Sequence, residues 1–203
     1  MSVTIDQIAE FLDEQDLSYR RHETAAAIML GFNLEPETTR YRDRDGEARF
    51  GFLIGVLEDG EFLSVSIPWT WNLADCPHKA AVFEALLDCQ ARSKLVRFDY
   101  DPDDGELRAN AEIAVEDSLF TSMQLRRLIQ AVGNSVLELD PVIRHAMKTG
   151  QVDMDRCADS ENPAEESASL QNLADEAGGV EALERLLCGD AAAGDDASDP
   201  TAD

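Results

Sequence analysis

An α+β fold is what this sequence predicts: a mainly antiparallel sheet with helices packed against it, in the order helix, three strands, helix, two strands, helix. Three stretches carry the prediction. FGFLIGVLEDGEFLSVSIP places two apolar arms around Asp59-Gly60. KLVRFDYDPDDGELRANAEI alternates on both sides of an acid-rich centre. TSMQLRRLIQAVGNSVLEL repeats apolar residues at helical spacing behind a capping signal. Strands that alternate in this way bury one face, so a helical layer must cover it.

The first element is a helix in TIDQIAEFLDEQ, where Ile5, Ile8, Phe11 and Leu12 share a face and Thr4 stands as N-cap. TAAAIMLGFN is a short apolar run that reads as a strand. A polar loop, LEPETTRYRDRDGEAR, follows, with a minor turn at Asp45-Gly46. Asp59-Gly60 is a two-residue type I′ hairpin signal, and it sets Val56 opposite Leu63, Ile54 opposite Val65 and Phe52 opposite Ile67. All three pairs are apolar and lie on one face, while Ser64 and Ser66 face the other way, so turn chemistry and register agree.

After the loop WTWNLADC, Pro77 suits the first turn of a helix in PHKAAVFEALLDCQAR, with Phe83, Leu86, Leu87 and Gln90 as its stripe. Val96, Phe98 and Tyr100 then alternate with Arg97 and Asp99. Beyond the turn, Leu107, Ala109, Ala111 and Ile113 alternate with polar residues, which makes a second hairpin with one buried face. Thr121-Ser-Met-Gln124 has the form of a capping box. Leu125, Leu128, Ile129, Val132, Val136 and Leu139 continue as a helical face; Pro141 kinks or interrupts it, with VIRHAMK carrying on to Gly150.

The acidic centre DYDPDDGE invites a calcium reading, which fails on spacing. Counting from Asp99 puts Asp104 where an EF-hand needs glycine and Asn110 where it needs glutamate. Counting from Tyr100 loses the first ligand, and the flanks are strands where helices are required. As a turn, Pro102 supplies a fixed φ and Gly105 a left-handed position.

The chain has 203 residues, 42 acidic and 17 basic, for a formal net charge of -25. Residues 1–149 read as one domain. Residues 150–203 hold 15 acids and two basic residues, Arg156 and Arg185, and read as an acidic, largely disordered tail. Within it, Leu170, Leu173, Leu183, Leu186 and Leu187 mark a short helix over 170–187, interrupted at Gly178-Gly179. It either docks on a partner or lies back on its own domain. So acidic a surface disfavours nucleic acid and anionic membrane as partners. No membrane-length apolar run and no signal peptide is read, so the expected compartment is the cytoplasm. Cys76, Cys89, Cys157 and Cys188 are widely spaced and read as isolated reduced thiols.

Catalytic signatures are missing: no GxSxG, no GxxxxGK[ST] and no GxGxxG occurs. His22, His78 and His145 lie far apart, and Cys76 with His78 supplies two ligands where zinc wants four. The expectation is therefore no catalytic residue, no metal and no cofactor. Trp69 and Trp71 in PWTWN are the candidate partner-binding residues. Two apart on an extended segment, they would share one face and either cap the core or anchor a partner.

The element order, with FLSVSIPWTWN (62–72), KLVRFDYDPDDGELRANAEIAVED (94–117) and the threonine-capped TSMQLRRLI (121–129), resembles the YbjN-like bacterial family of the type III secretion chaperone-like fold. The resemblance covers about residues 3–147; the long loop before Phe50 and the acidic tail go beyond the family's pattern. It implies a non-enzymatic protein-binding module, a chaperone-like adaptor or regulator, acting as a homodimer on a protein client. The alternative is a small-ligand-binding or enzymatic domain with a pocket between sheet and helices.

Overall fold

Alternation of apolar and polar residues generates one antiparallel sheet with a single helix-covered face. The computed structural model describes residues 2–157 apart from Thr38 and Asp117. The predicted 170–187 helix, most of the acidic tail and Cys188 lie outside the described residues. The elements run α1 (Ile5–Asp13), β1 (Tyr19–Arg21), β2 (Ala27–Asn33), β3 (Arg49–Leu57), β4 (Phe62–Asn72), α2 (Lys79–Arg92), β5 (Val96–Tyr100), β6 (Glu106–Ala114) and α3 (Ser122–Thr149). The sheet order is β1-β2-β3-β4-β6-β5, with every neighbouring pair antiparallel. The α+β class and the helix layer are those the sequence predicts. The sheet has six strands where five were expected, because β1, the three-residue Tyr-Arg-Arg, carries no alternating apolar signal and forms by pairing with β2.

The first hairpin keeps its predicted register. Val56 faces Leu63 and Ile54 faces Val65 across β3 and β4. At the turn, Asp59 has φ 54° and ψ 27°, Gly60 has φ 94°, and the Glu61 N–H donates to the Glu58 carbonyl at 3.1 Å. This is the mirror-image geometry that favours Asp-Gly. Glu58 is left-handed as well, at φ 48°. In the second hairpin, Val96, Phe98 and Tyr100 face Ala111, Ala109 and Leu107. Its acidic centre is a turn: Asp101 and Asp104 each accept a backbone N–H two residues on, at 2.9 Å, and the Asp101 N–H donates to the Glu106 carbonyl.

One core fills the space between sheet and helices. Phe50, Phe52, Ile54, Leu63 and Val65 are fully buried under Leu125, Val132 and Val136 of α3 and Ile8 and Leu12 of α1. Each such side chain contributes about 1.5–3 kcal/mol by leaving water. Thr4 caps α1, its hydroxyl accepting from the Gln7 N–H at 3.2 Å. The capping box of α3 forms, with Thr121 and Gln124 each accepting from the other's backbone. That helix runs unbroken through Pro141 to a left-handed cap at Gly150. α2 departs from expectation. It starts at Lys79, beyond Pro77, and buries Val82, Ala85, Leu86 and Cys89, leaving Leu87 exposed. Residues at i, i+3, i+4 and i+7 set the stripe, and α2 packs against α3.

Candidate functional site: the PWTWN bulge

β4 holds a clean ladder with β6 from Phe62 to Ile67, and the next partner pair is Trp71 with Leu107. Two residues of β4 are extra between those points. Pro68 has no N–H for a ladder, so an irregularity here is chemically natural. The chain absorbs the extra length by turning Trp69 into the left-handed region, at φ 52°. For a tryptophan this costs about 1–2 kcal/mol, so something must hold it.

Two side chains do. The Glu106 carboxylate, 3% exposed, accepts the Trp69 N–H at 2.9 Å and pairs with Arg108. The Thr70 hydroxyl donates to the Ile67 carbonyl at 2.6 Å and accepts the Ala109 N–H at 3.1 Å, replacing ladder bonds lost at the bulge. The Trp69 N–H, the Ile67 carbonyl and the Ala109 N–H are therefore all paired from within the sheet.

At the bulge the two tryptophans differ in burial and in partners. Trp71 is a core residue, 3% exposed, with its ring against Phe98 and its indole Nε1–H donating to Asp140 of α3 at 2.9 Å. Trp69 is half-buried, and the exposed Arg44 lays its guanidinium 4.5 Å from the ring centroid. Sequence spacing assumed an unbroken two-residue period; the left-handed residue breaks it.

The loop between β2 and β3 brings Arg44 there. Asp43 organises it by accepting the backbone N–H groups of Asp45 and Glu47 and pairing with Arg49. Tyr41 inserts into the core against Phe50, with ring centroids 4.9 Å apart. Burial, with Asp140 and Asp43 nearby, pushes its phenol well above the ordinary value, partly opposed by Arg144. Arg144 joins loop to helix: it pairs with Asp140 at 2.8 Å and donates to the Arg42 carbonyl at 2.8 Å. Asp140, 1% exposed, thus holds Trp71 and Arg144 together. Neither buried carboxylate was singled out from the sequence.

Away from the bulge the predicted residues scatter. The His22 ring accepts two backbone N–H groups of its own loop, and the His78 ring lies against Gly150. Cys76 and Cys157 are half-buried and Cys89 is buried. Among the described residues no three His, Cys, Asp or Glu side chains converge as metal ligands, and no helix is long and apolar enough to cross a membrane.

No family model matches this sequence, and no curated protein matches it. Among solved structures it is similar to YbjN of E. coli, described as a candidate transcription regulator. That likeness has 17% identity and a TM-score of 0.47, and it covers 68% of this chain and 92% of that one. It is also similar to a chain of the HopA1–SchA chaperone–effector complex, with 12% identity and a TM-score of 0.41, covering 63% of this chain and 84% of that one.

Proposed function

We propose that this chain is a non-enzymatic protein-binding module, a chaperone-like adaptor or regulator that engages a protein client in the cytoplasm and works as a homodimer. One observation carries the reading. A left-handed tryptophan is held half-exposed at a strand bulge by a buried carboxylate, with an exposed arginine stacked on its ring. Backbone strain of this kind persists only where the surroundings over-determine it, and it concentrates at functional sites. Tryptophan and arginine are also the residues most enriched at binding hot spots. Trp69 is the contact residue in this proposal. Trp71 acts behind it, positioning the bulge through Asp140. The edge strands β1 and β5 offer backbone for pairing with an extended client segment.

The test immobilises the full-length chain and identifies by mass spectrometry what it retains from host lysate. A client held at near-stoichiometric yield by the native chain and by Leu119→Ser, a change at an exposed leucine elsewhere, and lost from Trp69→Gly supports the reading. Equal retention by the native and Trp69→Gly chains, or none by either, overturns it.

A further inference from the structure

Cations face outward beside Trp69 and in the neighbouring Asp140 network: Arg44 lies over the Trp69 ring, Arg108 pairs with the carboxylate that holds the Trp69 N–H, and Arg144 pairs with Asp140. Arg108 and Arg144 are 40% and 46% exposed at their side chains, while the carboxylates they pair with, Glu106 and Asp140, lie beneath at 4% and 1%. Each ion pair thus shows water its cation. Arg44 adds an exposed guanidinium over the Trp69 ring, and Arg42 sends its own to the backbone carbonyls of Pro36, Thr39 and Tyr41. Asp43, Asp45 and Glu47 stand in the same loop, but Asp43 and Asp45 are engaged by Arg49. The patch therefore joins an apolar ring to outward guanidinium groups.

The same chain carries the matching chemistry. Residues 158–203 hold 13 acidic side chains and one basic one, Arg185. The described chain stops at Cys157, which packs on the core beside the C-terminal end of α3. Arg144 lies within the last two turns of that helix. From Cys157 onward, 46 residues are more than enough to reach the patch.

We infer that the acidic segment after residue 157 docks on the Arg44–Trp69–Arg108 surface of its own chain and competes there with the client, an inference that rests on the proposed binding role of Trp69. Tethering makes the contact intramolecular, at an effective concentration of about millimolar, so weak exposed ion pairs suffice. The same weakness makes the docking salt-sensitive, since exposed charges are screened beyond about 10 Å at 0.1 M salt. A client must displace the segment, so the segment sets a threshold on which clients are held.

The experiment compares two full-length chains, the native one and one in which every Asp and Glu after residue 157 is replaced by Asn or Gln. Acrylamide quenching of tryptophan fluorescence reads Trp69, because the second tryptophan, Trp71, is 3% exposed. At about 50 mM salt the native chain is expected to be quenched about twofold less than the neutralised one, and the two converge at about 500 mM, where screening is nearly complete. Arg44→Gln in the native chain removes the salt-dependent difference. Equal quenching of both chains at both salt concentrations overturns the inference. So does protection that grows with protein concentration, which places a second copy's segment on the patch. A glutamate-rich synthetic peptide that protects the neutralised chain, where the native segment does not, also overturns it and assigns the patch to another protein's acidic segment. Protection of Trp69 in a chain that retains no client leaves this inference standing and removes the proposed function instead.

Discussion

The indole N–H of Trp71 donates to the carboxylate of Asp140 at 2.9 Å, and through that bond the bulge of β4 is fastened to the C-terminal half of α3. Asp140 also takes Arg144, which in turn holds the Arg42 carbonyl of the β2–β3 loop. One buried carboxylate therefore sets the relative position of strand, helix and loop. Asp140→Ala should destabilise the fold by about 2 kcal/mol, the cost of a buried indole N–H left without an acceptor and a guanidinium without its partner. Asp140→Asn should cost less, because an amide oxygen can still accept the indole proton. Urea denaturation of the two variants checks this; a loss below about 0.5 kcal/mol for the alanine variant would show that the bond does not hold the elements.

At Trp69 the stability of the fold and the proposed client binding can be told apart. Trp69→Gly relieves the left-handed strain that Trp69→Ala retains, so the glycine variant should be more stable than the alanine variant by about 1 kcal/mol. Both should lose client binding equally, since both lose the ring. A more stable alanine variant would mean that the backbone at 69 relaxes once the side chain is gone. Thermal melts at one protein concentration decide between these outcomes.

Gly105 and Gly46 form a matched pair for the acidic turn. Both have positive φ, 78° and 87°. A Cβ at Gly46 meets nothing within 4 Å, whereas one at Gly105 would lie 2.3 Å from the Ala74 nitrogen. Gly46→Ala should cost about 1 kcal/mol from conformation alone. Gly105→Ala should cost several times more, because the β5–β6 turn must part from the segment after β4. Equal losses in chemical denaturation would show that the two turns do not differ in packing.

Tyr41 predicts an alkaline limit. Its phenol is pushed above the ordinary 10.0 by burial first, then by Asp140 and Asp43. The folded chain therefore binds this proton more tightly than the unfolded chain does. The resulting stability is complete below pH 10 and declines as pH rises past that value. Tyr41→Phe should flatten the decline above pH 10, as read by denaturation midpoints at stepped pH. An unchanged slope would assign the alkaline loss to other groups.

Much of this architecture was legible because local chemistry and register point the same way. Asp59-Gly60 dictates a two-residue turn, and the apolar pairs it predicts at Val56–Leu63 and Ile54–Val65 are those that form. Thr121 and Gln124 announce α3 in the same manner. What escaped were features that exist only in three dimensions. Strand β1 depends on its neighbour for existence. The α2 stripe was misplaced because Leu87 is larger than Ala85, although position decides burial. At the site, PWTWN was visible as a motif, and Pro68 was the one available signal that the strand could not continue regularly. Glu106 and Asp140 stayed hidden, since acids in an acidic chain read as surface until a structure shows them buried and paired.

The strand order also dictates when the pieces can assemble. β3 and β4 close through a tight turn, and β5 and β6 through another, so each pair has short loops to close. The seam between β4 and β6 is different: Ser64 pairs with Glu112 across α2 and the whole second hairpin, a far longer loop. Closing so long a loop costs entropy that nothing repays until the seam zips, which makes it the slow event of folding. Until then the β4 side of the seam stays open, and Trp69 has no Glu106 to hold it in its left-handed turn. The bulge is thus completed only when the seam closes, and a chain caught before that moment presents a complete first hairpin with an unfinished edge.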